Sequence, residues 1–536
     1  MSVDPGAVGL AHQARVRPQK VALVMGGAQL TYGELNERVN RLADALRGAG
    51  VGVGDTVGAA LHNGFAWFEL LNAVGKIGAQ LVPIGYRLKG PEIAYMLADS
   101  GAKVLLADAA LDAEVDRAAA ELDWSEARRW VVGDTAPARG RAYEAVLADA
   151  NPAEPPDAFV GGGFNTLIYT SGTTGKPKGI ERPMDPASAH LSLVGMAQMW
   201  RLDADDVTLV AGPCYHTGPA SYAQVHLLIG GTAVIMPHFD AAAALQLIDC
   251  QRVTNAFMVP THFSRILQLD DAERRRHDLS SLRLVMHSAA PCPAHIKRDI
   301  MAVFPPGSVT EFYGASEGGF TRITAEEWLR KPGSVGTPWP GHEIRILADD
   351  GTELPGGEIG LIYVRAPRMQ FSYRGADEKT RTAFRDGWFT AGDLGSVDAD
   401  GYLFIADRRT DLIISGGANI YPAEVEAVLM AHPAVADVAV VGVPDAENGQ
   451  VGARRRRAAA RRSGDRRRAD RLHAPRPGAL QVPAPHRADR HPAARTAGQS
   501  PQARADRALC GSGRRRASVS QRAGAPVCCC VRISER

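Results

Sequence analysis

The segment Tyr169-Thr170-Ser171-Gly172-Thr173-Thr174-Gly175-Lys176-Pro177-Lys178-Gly179 decides how the rest of this sequence is interpreted. It overlaps the end of an apolar run at 164–169, which predicts a strand that leads into a loop. Glycines allow close backbone approach, hydroxyls donate hydrogen bonds and two lysines bring positive charge, so the composition is that of a phosphate-binding loop. It is not a Walker loop, because only two residues separate Gly172 from Gly175 and a proline follows Lys176. Taken alone, the segment leaves a Ser/Thr/Gly-rich surface loop as an alternative.

The chain on both sides of this loop alternates between strand and helix patterns. Thr31, with Glu34 three residues later, predicts a helix start of the capping-box type. The predicted strands are apolar, β-branched runs, and they lie at 104–107, 164–169, 207–211, 232–236 and 282–286. Helical patterns between them include 32–48 and 68–77. This alternation predicts an α/β fold with mostly parallel sheets covered on both faces.

After about residue 341 the pattern changes. Short strands with glycine turns at 343–347, 360–365 and 402–405 predict a small β-rich subdomain. A helix pattern at 422–431 and a strand pattern at 435–443 then predict the opening of a further α+β domain.

The composition excludes several classes of protein. The chain has 536 residues, 45% hydrophobic and 22% charged, which is globular and long enough for two or more domains. No apolar run approaches the roughly 18 residues of a membrane span, so no integral membrane association is expected. Residues 1–19 hold no apolar stretch of signal-peptide type, which predicts a cytoplasmic protein. Seven cysteines in this length do not make a disulfide framework.

The net charge of +2 hides an acidic body and a basic tail. Residues 1–452 carry 39 Lys and Arg against 54 Asp and Glu, so the body is not expected to bind nucleic acid. Residues 453–536 carry 22 Arg and five acids but no Lys, Asn, Met, Phe, Tyr or Trp. Such a stretch cannot bury enough apolar surface to offset its chain entropy, which predicts disorder. A natural basic tail for nucleic acid or anionic lipid is an alternative, disfavoured because the onset falls in the middle of a domain.

The loop at 169–179 and several later segments together resemble the adenylate-forming superfamily of acyl-CoA synthetases, aryl-CoA ligases, luciferases and carrier-protein adenylation domains. The matching segments occur in the family's order over residues of about 20–450 and are 213–218 (PCYHTG), 313–317 (YGASE), 387–393 (GWFTAGD), 407–417 (DRRTDLIISGG) and 419–424 (NIYPAE). The resemblance implies a large N-terminal domain of layered αβαβα sheets with a small β-rich subdomain at 1–407. It also implies a hinge and an incomplete α+β C-terminal domain at 408–452, ahead of the tail at 453–536.

The resemblance also implies roles in activating a carboxylic acid with ATP. Glu317 would hold Mg²⁺, a hard cation that prefers oxygen ligands. Ser316 would contact the α-phosphate, Tyr313 would stack on adenine, and Asp393 and Arg408 would hold the ribose and nucleotide. The implied catalytic residues are Thr170, Lys176, His216 and Glu317, and the implied binding residues for the nucleotide and CoA are Ser171, Gly172, Thr173, Thr174, Gly175, Lys178, Ala289, Tyr313, Gly314, Ser316, Asp393, Arg408, Gly416 and Gly417. The lysines and hydroxyls of the loop would hold the β- and γ-phosphates, which leave as pyrophosphate.

The second half-reaction is implied to be thiol attack on the acyl-adenylate. His216 would open or close the acyl pocket, and Gly416 and Gly417 would let a pantetheine arm approach. The sequence of residues 415–424 favours an acyl-CoA synthetase over a carrier-protein adenylation domain, so CoA is the expected acceptor. Ala289 lies in a segment where Ser and Ala replace the glycine-rich sequence usual in the family. Thr410 occupies the hinge position, where the family more commonly has Asp or Lys.

A C-terminal lysine that the family uses in adenylation is missing. The last lysine is Lys379, and 495–502 (RTAGQSPQ) stands where a P-x-T-x-x-G-K type segment is expected. Gly498-Gln499-Ser500 can be coded GGG CAA AGT, which one base later begins Gly-Lys. We therefore hypothesise a frameshift near residues 449–453, either real or an error in the recorded sequence. A real shift would cripple adenylation, because a charge aimed at the transition state is lost.

These interpretations predict an ATP-dependent acid–CoA ligase. Its substrates would be ATP with Mg²⁺, CoA and a hydrophobic carboxylic acid, with a fatty acid expected and an aromatic or alicyclic acid as an alternative. Near the acyl pocket only His262 and His287 offer a partner for a charged group at the far end of the acid. Two other functions stay open: an adenylating enzyme that loads a carrier protein, and a catalytically impaired protein that binds nucleotide or acyl-adenylate.

Overall fold

The structure is a computed structural model that describes residues 8–156, 165–170, 177–182, 186–367, 369–415, 418–430, 435–445, 449–458 and 529–530. Its helices, in chain order, are α1 Leu10–Val16, α2 Tyr32–Gly48, α3 Phe65–Lys76, α4 Gly90–Ser100, α5 Asp112–Leu122, α6 Tyr143–Ala148, α7 Pro186–Met199, α8 Thr217–Ile229, α9 Ala241–Cys250, α10 Pro260–Leu267, α11 Asp271–Arg275, α12 Ala294–Val303, α13 Ala325–Arg330, α14 Asp377–Ala383 and α15 Pro422–Met430. Short 3-10 helices lie at Ala109–Leu111 and Glu126–Arg128.

The strands up to the end of the large unit are β1 Val21–Met25, β2 Ala28–Thr31, β3 Thr56–Ala60, β4 Gln80–Pro83, β5 Val104–Asp108, β6 Arg129–Val132, β7 Arg141–Ala142, β8 Ile168–Thr170, β9 Lys178–Glu181, β10 Val207–Val210, β11 Thr232–Ile235, β12 Asn255–Met258, β13 Leu284–His287, β14 Val309–Ala315, β15 Gly318–Ile323, β16 Thr337–Pro338, β17 Glu343–Leu347, β18 Gly360–Arg365, β19 Ser372–Tyr373, β20 Phe384–Arg385, β21 Trp388–Phe389, β22 Asp393–Val397 and β23 Leu403–Arg408. The small unit holds β24 Ile413–Ser415, β25 Ala418–Ile420, β26 Val435–Asp445, β27 Gly449–Ala458 and β28 Cys529–Cys530. The two compact units are Met1–Thr410 and Asp411–Arg536.

Two large sheets form the framework of the first unit. The first has nine strands in the order β16-β15-β14-β13-β12-β10-β11-β1-β2, parallel from β14 to β1 and antiparallel at both edges. The second is fully parallel in the order β4-β3-β5-β6-β7. The predicted α/β alternation with mostly parallel sheets is confirmed.

Both faces of each large sheet are buried, which gives five layers. In β10, Val210 belongs to the core shared with α2, α3, α8 and the second sheet, while Leu209 belongs to the core beneath α9, α10 and α12. In β5, Leu106 faces the shared core and Leu105 faces the core beneath α4 and α5. Neighbouring strand residues point to opposite faces, so these apolar runs bury both. The predicted αβαβα layering follows from this partition.

The local predictions agree with the structure at several helices and strands. Helix α2 spans the predicted residues, and Thr31 and Glu34 form the expected capping box. The strand expected at 164–169 differs, because the described strand begins at Ile168 and ends at Thr170, the second residue of the loop motif; residue 164 lies outside the described residues. Its partner β9 pairs with residues 168–170, and this pairing sets where the strand ends.

Antiparallel sheets complete the first unit. The predicted β-rich subdomain is a six-stranded sheet of β20-β21-β18-β22-β23 with β17 on β18. A separate three-stranded sheet, β19-β9-β8, brackets the loop motif. Among the described residues, no helix combines the length and the apolar character needed to cross a bilayer.

The second unit is an antiparallel sheet, β25-β24-β27-β26, with β28 on β27 and helix α15. Glu426 of α15 accepts a hydrogen bond from the Val440 backbone of β26 at 2.8 Å. Strand β27 continues to Ala458, five residues beyond the tail onset predicted at 453, because a backbone ladder with β26 needs no large apolar side chains. Apart from Cys529–Cys530, the rest of the predicted tail lies outside the described residues.

Candidate functional site

The two ends of the loop motif are held together by strand pairing. Thr170, the last residue of β8, lies directly opposite Lys178, the first residue of β9. Tyr169 donates a hydrogen bond to the Asp99 carboxylate at 2.6 Å, and Tyr95 donates one to the Pro177 carbonyl at 2.9 Å. The base of the loop is therefore anchored to helix α4, which carries Tyr95 and Asp99. The predicted residues Ser171, Gly172, Thr173, Thr174, Gly175 and Lys176 lie outside the described residues.

Glu317 lies at the tip of a hairpin that the loop's own sheet supports. Ala315 pairs with Gly318 at the ends of β14 and β15, so Ser316 and Glu317 form the two-residue turn. Tyr373 of β19, which lies beside β9, donates a hydrogen bond to Glu317 Oε1 at 2.6 Å. Arg182, just past β9, donates to the Ser316 carbonyl. These contacts join the hairpin tip to the base of the loop motif.

Tyr313 and Asp393 meet beside the same hairpin. The Tyr313 hydroxyl donates to Asp393 Oδ2 at 2.6 Å, and Arg408 Nε lies 3.2 Å from the other carboxylate oxygen. Asp393 is 6% exposed, and the pairing of β22 with β23 places it opposite Arg408. Burial, and then the charge of Asp393, raise the pKa of Tyr313 well above its usual value, so Tyr313 stays a hydrogen-bond donor. Three predicted residues thus form one connected group.

His216 is the N-cap residue of α8, at the end of a row of aromatic rings in contact with one another. Its ring centroid lies 4.3 Å from that of Tyr215, which is 5.1 Å from Tyr86, which is 4.5 Å from His62. Desolvation, and then the charge of Arg87, lower the pKa of His216, so it is neutral at pH 7. Within the described residues His216 contacts Tyr215 rather than the Tyr313 group, and the tilted packing of the two rings orients His216.

Ala289 and Gly314 have backbone constraints that bear on the site. Ala289 follows β13 with φ of 74°, a left-handed conformation that costs a residue with a Cβ about 1–2 kcal/mol. At Gly314 a Cβ would lie 2.5 Å from the Gly318 carbonyl, so only glycine allows the hairpin to close under Glu317. Glycine, which the family usually has near this position, would relieve the backbone strain that Ala289 retains in this chain.

Two histidines expected to face the acid are packed into the core instead. His262 is 6% exposed and stacks on Phe239 at 4.0 Å, and burial lowers its pKa to about 4. His287 is fully buried, with its Nε2 3.7 Å from a Glu311 oxygen, and burial lowers its pKa well below the usual value. The expectation that they offer a partner for a charged group at the far end of the acid does not fit these surroundings. The other predicted residues Gly416 and Gly417 lie outside the described residues.

Sequence reasoning missed Tyr373 and Lys379. Tyr373 is 5% exposed, and the Lys379 ammonium lies 4.0 Å from its ring centroid, within cation–π range. Burial lowers the pKa of Lys379, on which the charges of Glu317 and Lys178 also act, so the three charged groups are neighbours. The only advance signal would have been the pairing of a two-residue strand with β9, which the sequence does not reveal.

The residues present fit a nucleotide and its metal. Glu317 is a half-buried carboxylate at a hairpin tip, and Mg²⁺ commonly takes one or two protein carboxylates with phosphate oxygens and waters. Lys178 and Lys379 supply positive charge beside it, and Arg408 supplies positive charge at Asp393. This arrangement can neutralise a polyphosphate and hold a ribose at a buried carboxylate.

Comparison with known proteins extends this picture. Residues 10–373 match the family profile described as AMP-binding enzyme, and residues 424–453 match that of the AMP-binding enzyme C-terminal domain. The chain is 38% identical over 447 residues to a feruloyl-CoA synthase from Amycolatopsis sp, covering 82% of this chain and 86% of that protein. It is 33% identical over 454 residues to the long-chain-fatty-acid–CoA ligase FadD13 from Mycobacterium tuberculosis, covering 83% and 86%.

A solved structure shares this architecture. The o-succinylbenzoate CoA synthetase from Bacillus subtilis, in complex with the acyl-adenylate intermediate OSB-AMP, superimposes with a TM-score of 0.73 at 29% identity. The match covers 84% of this chain and 88% of that chain. The Bacillus subtilis enzyme has also been solved in complex with ATP and a magnesium ion, with a TM-score of 0.72.

Proposed function

The chain belongs to the AMP-binding enzyme family, and from that premise we propose that it is an ATP-dependent acid–CoA ligase for a hydrophobic carboxylic acid. It would form acyl-AMP, release pyrophosphate and transfer the acyl group to CoA. The relatives that it matches along most of their length include acid–CoA ligases, which supports this class. The observation that carries the proposal is the hydrogen bond from Tyr373 to Glu317, because it connects the base of the glycine-rich loop to the hairpin beside Tyr313 and Asp393.

The chemistry assigned to these residues follows from their charge and contacts. Two anions, a carboxylate and ATP, must approach each other, so positive charge is needed between them. Lys178 and Lys379 supply it on the side of Glu317, with Lys176 proposed on the loop. Mg²⁺ held by Glu317 would neutralise the departing pyrophosphate. Asp393, already oriented by Tyr313, would accept hydrogen bonds from the ribose hydroxyls.

Two classes of carboxylic acid are candidates for the substrate of the proposed ligase. A fatty acid is the finer prediction from the sequence, and FadD13 is named for long-chain fatty acids. Feruloyl-CoA synthase is named for an aromatic acid. Both acids are hydrophobic, and both need the same adenylation site.

A carrier protein is the alternative acceptor to CoA. The relatives named above as CoA ligases favour CoA. Assaying CoA against a phosphopantetheinylated carrier protein, with the same acid and ATP, separates the two, and transfer to the carrier alone would overturn the CoA assignment.

An impaired enzyme is the alternative that the C-terminal sequence supports. The family match in the second unit ends at residue 453, where we propose the frameshift, and no lysine follows Lys379. We propose that the recorded chain binds ATP–Mg²⁺ but releases pyrophosphate orders of magnitude more slowly than a frame-restored chain. Reading the DNA across codons 445–455 and measuring the intact-protein mass tests the shift, and one continuous frame with the matching mass would disprove it.

The experiment that tests the function compares the recorded chain with the frame-restored chain. Calorimetry with ATP–Mg²⁺ measures binding, and a pyrophosphate-release assay with a panel of acids and CoA measures turnover. We expect both chains to bind ATP and the restored chain to form acyl-CoA. If neither binds ATP–Mg²⁺, the proposed function is wrong.

A further inference from the structure

Arg182 is a half-buried arginine that lies directly after β9, just past the end of the loop motif. Its Nη2 donates a hydrogen bond to the backbone carbonyl of Ser316 in the two-residue turn at the hairpin tip. The next residue of that turn is Glu317, whose carboxylate accepts a hydrogen bond from Tyr373. Two donors therefore hold the hairpin tip, with Arg182 on its backbone and Tyr373 on its carboxylate.

The positive charge of Arg182 is not neutralised by the carboxylate next to it in the chain. Glu181 precedes Arg182, but its Oε1 accepts a hydrogen bond from Arg374 at 2.8 Å. In the part of the chain that the structure describes, Arg182 takes part in no ion pair. Burial lowers the pKa of Arg182, and the charge of Glu317 acts in the opposite direction. Because a guanidinium stays protonated at neutral pH, Arg182 is a permanent cation beside the tip, and its charge is available to an anionic ligand.

The position of the hairpin tip indicates which phosphate of a nucleotide would meet Arg182. Tyr313, which orients the proposed ribose partner Asp393, lies in the same hairpin three residues before Ser316. Arg182 itself follows β9, which begins with Lys178 at the base of the loop proposed for the β- and γ-phosphates. The α-phosphate joins the ribose to these two phosphates. A nucleotide that spans both parts of the site therefore has its α-phosphate at the tip.

We propose that Arg182 binds the α-phosphate of the nucleotide while the Ser316 carbonyl holds its guanidinium in place; this rests on the proposed function. A guanidinium carries five N–H groups in a planar fork, so the bond to Ser316 leaves donors for the phosphate oxygens. In adenylation the carboxylate of the acid attacks the α-phosphorus and pyrophosphate leaves. A cation at this phosphate stabilises the negative charge that develops there. Since no lysine follows Lys379, this charge comes from the first unit and does not depend on the C-terminal domain.

Three ligands isolate the α-phosphate in calorimetric titrations of the full recorded chain. Adenosine has no phosphate, AMP has the α-phosphate alone, and ATP–Mg²⁺ has three phosphates and the metal ion. AMP is titrated without Mg²⁺. Arg182→Gln should raise the Kd for AMP and for ATP–Mg²⁺ at least tenfold, which is roughly the contribution of one hydrogen bond to a charged group. The Kd for adenosine should stay within twofold of the parent.

A milder variant and a matched control accompany this measurement. Arg182→Lys keeps a charge but lacks the planar fork, so it should raise the Kd for AMP at least threefold and leave adenosine unchanged. Arg128→Gln is the control, because the half-buried Arg128 also donates to backbone carbonyls, those of Lys103 at 2.6 Å and Ala102 at 2.5 Å, beside the second sheet. It should lower the unfolding temperature and leave all three Kd values unchanged.

The pattern across the three ligands decides the outcome. A Kd for AMP within twofold of the parent in Arg182→Gln would overturn the inference, and a loss confined to ATP–Mg²⁺ would overturn it by showing that Arg182 acts through Glu317 and the metal ion. An equal loss of adenosine would show that Arg182 supports the fold rather than the phosphate, which also overturns the inference. These three results leave the proposed ligase intact, whereas a parent chain that binds no ATP–Mg²⁺ refutes the ligase itself.

Discussion

Replacing Tyr313 by Phe should weaken both the fold and nucleotide binding by an amount that the structure sets. The change removes one hydroxyl, which donates to Asp393 Oδ2 at 2.6 Å, and keeps the ring in contact with Phe320 at 5.5 Å. Asp393 is 6% exposed, whereas the side chain of its other partner, Arg408, is 62% exposed. The lost bond is therefore the buried one of the two.

The magnitude follows from the charge and burial of Asp393. A hydrogen bond to a charged group contributes about 1.5–3 kcal/mol, and an exposed ion pair contributes about 0–1 kcal/mol. We therefore expect Tyr313→Phe to lower the free energy of unfolding by about 2 kcal/mol, with little compensation from Arg408. If a third to all of that orientation energy acts on the bound ribose, the Kd for ATP rises between about threefold and thirtyfold, since 1.4 kcal/mol is tenfold.

The assay is calorimetric titration of ATP–Mg²⁺, combined with thermal unfolding. A double-mutant cycle with Asp393→Asn isolates the pair, and the coupling energy should be about 1 kcal/mol or more. Tyr143→Phe is the matched control, because the buried Tyr143 hydroxyl donates to the buried carboxylate of Glu69 outside this site. It should lower the unfolding temperature similarly and leave the Kd for ATP unchanged.

Two results would refute the reasoning. A Kd for ATP within twofold of the parent in Tyr313→Phe would mean that the hydroxyl does not orient a nucleotide ligand. An equal loss of ATP affinity in Tyr143→Phe would mean that the effect is a general loss of stability.

Further predictions concern the metal site, the core and pH. Glu317→Gln should lower Mg²⁺-dependent turnover of the frame-restored chain at least tenfold, whereas Tyr373→Phe should raise the Mg²⁺ concentration needed for ATP binding severalfold; unchanged Mg²⁺ titrations would exclude both roles. Lys297→Met should cost about 3–5 kcal/mol of stability by chemical denaturation, because it leaves the buried Glu311 carboxylate without its ammonium partner at 2.5 Å, and adding Glu311→Gln should recover most of that loss. Burial lowers the pKa of His226 from 6.5 to about 4, so the unfolded chain binds a proton that the folded chain does not between these values. Stability should therefore fall as pH drops from 6.5 towards 4, by at most about 3 kcal/mol for this residue, and His226→Gln should flatten that slope in pH-dependent unfolding.

Much of the fold could be predicted because its signals are local. The apolar runs of β5, β10, β11 and β13 and the capping box at Thr31 depend on residues a few positions apart, and the structure has them at or near the predicted places. The error at β8 arose because the end of a short strand depends on its partner β9. The extension of β27 to Ala458 has the same cause, since pairing with β26 supplies backbone hydrogen bonds that composition does not reveal.

The sequence predicted the motif residues of the site but not the residue that holds one of them in place. Tyr313, Glu317 and Asp393 stand in recognisable segments, so their membership in a site could be predicted one by one. Tyr373 lies 56 residues from Glu317, and nothing in its local sequence marks it. The two histidines expected to meet the acid, His262 and His287, are buried instead, because residue type alone does not determine which face of an element is covered.

The amino-acid sequence by itself determined the alternation of strands and helices, the acidic body, the loop at 169–179 and the absence of lysine after Lys379. Only the tertiary structure decided that Tyr373 reaches Glu317 and that Tyr313 orients Asp393. The physical reason is the separation along the chain over which each interaction acts. Periodicity and capping act within a few residues of the chain, whereas hydrogen bonds and ring contacts of this site join residues tens of positions apart once the sheets have paired.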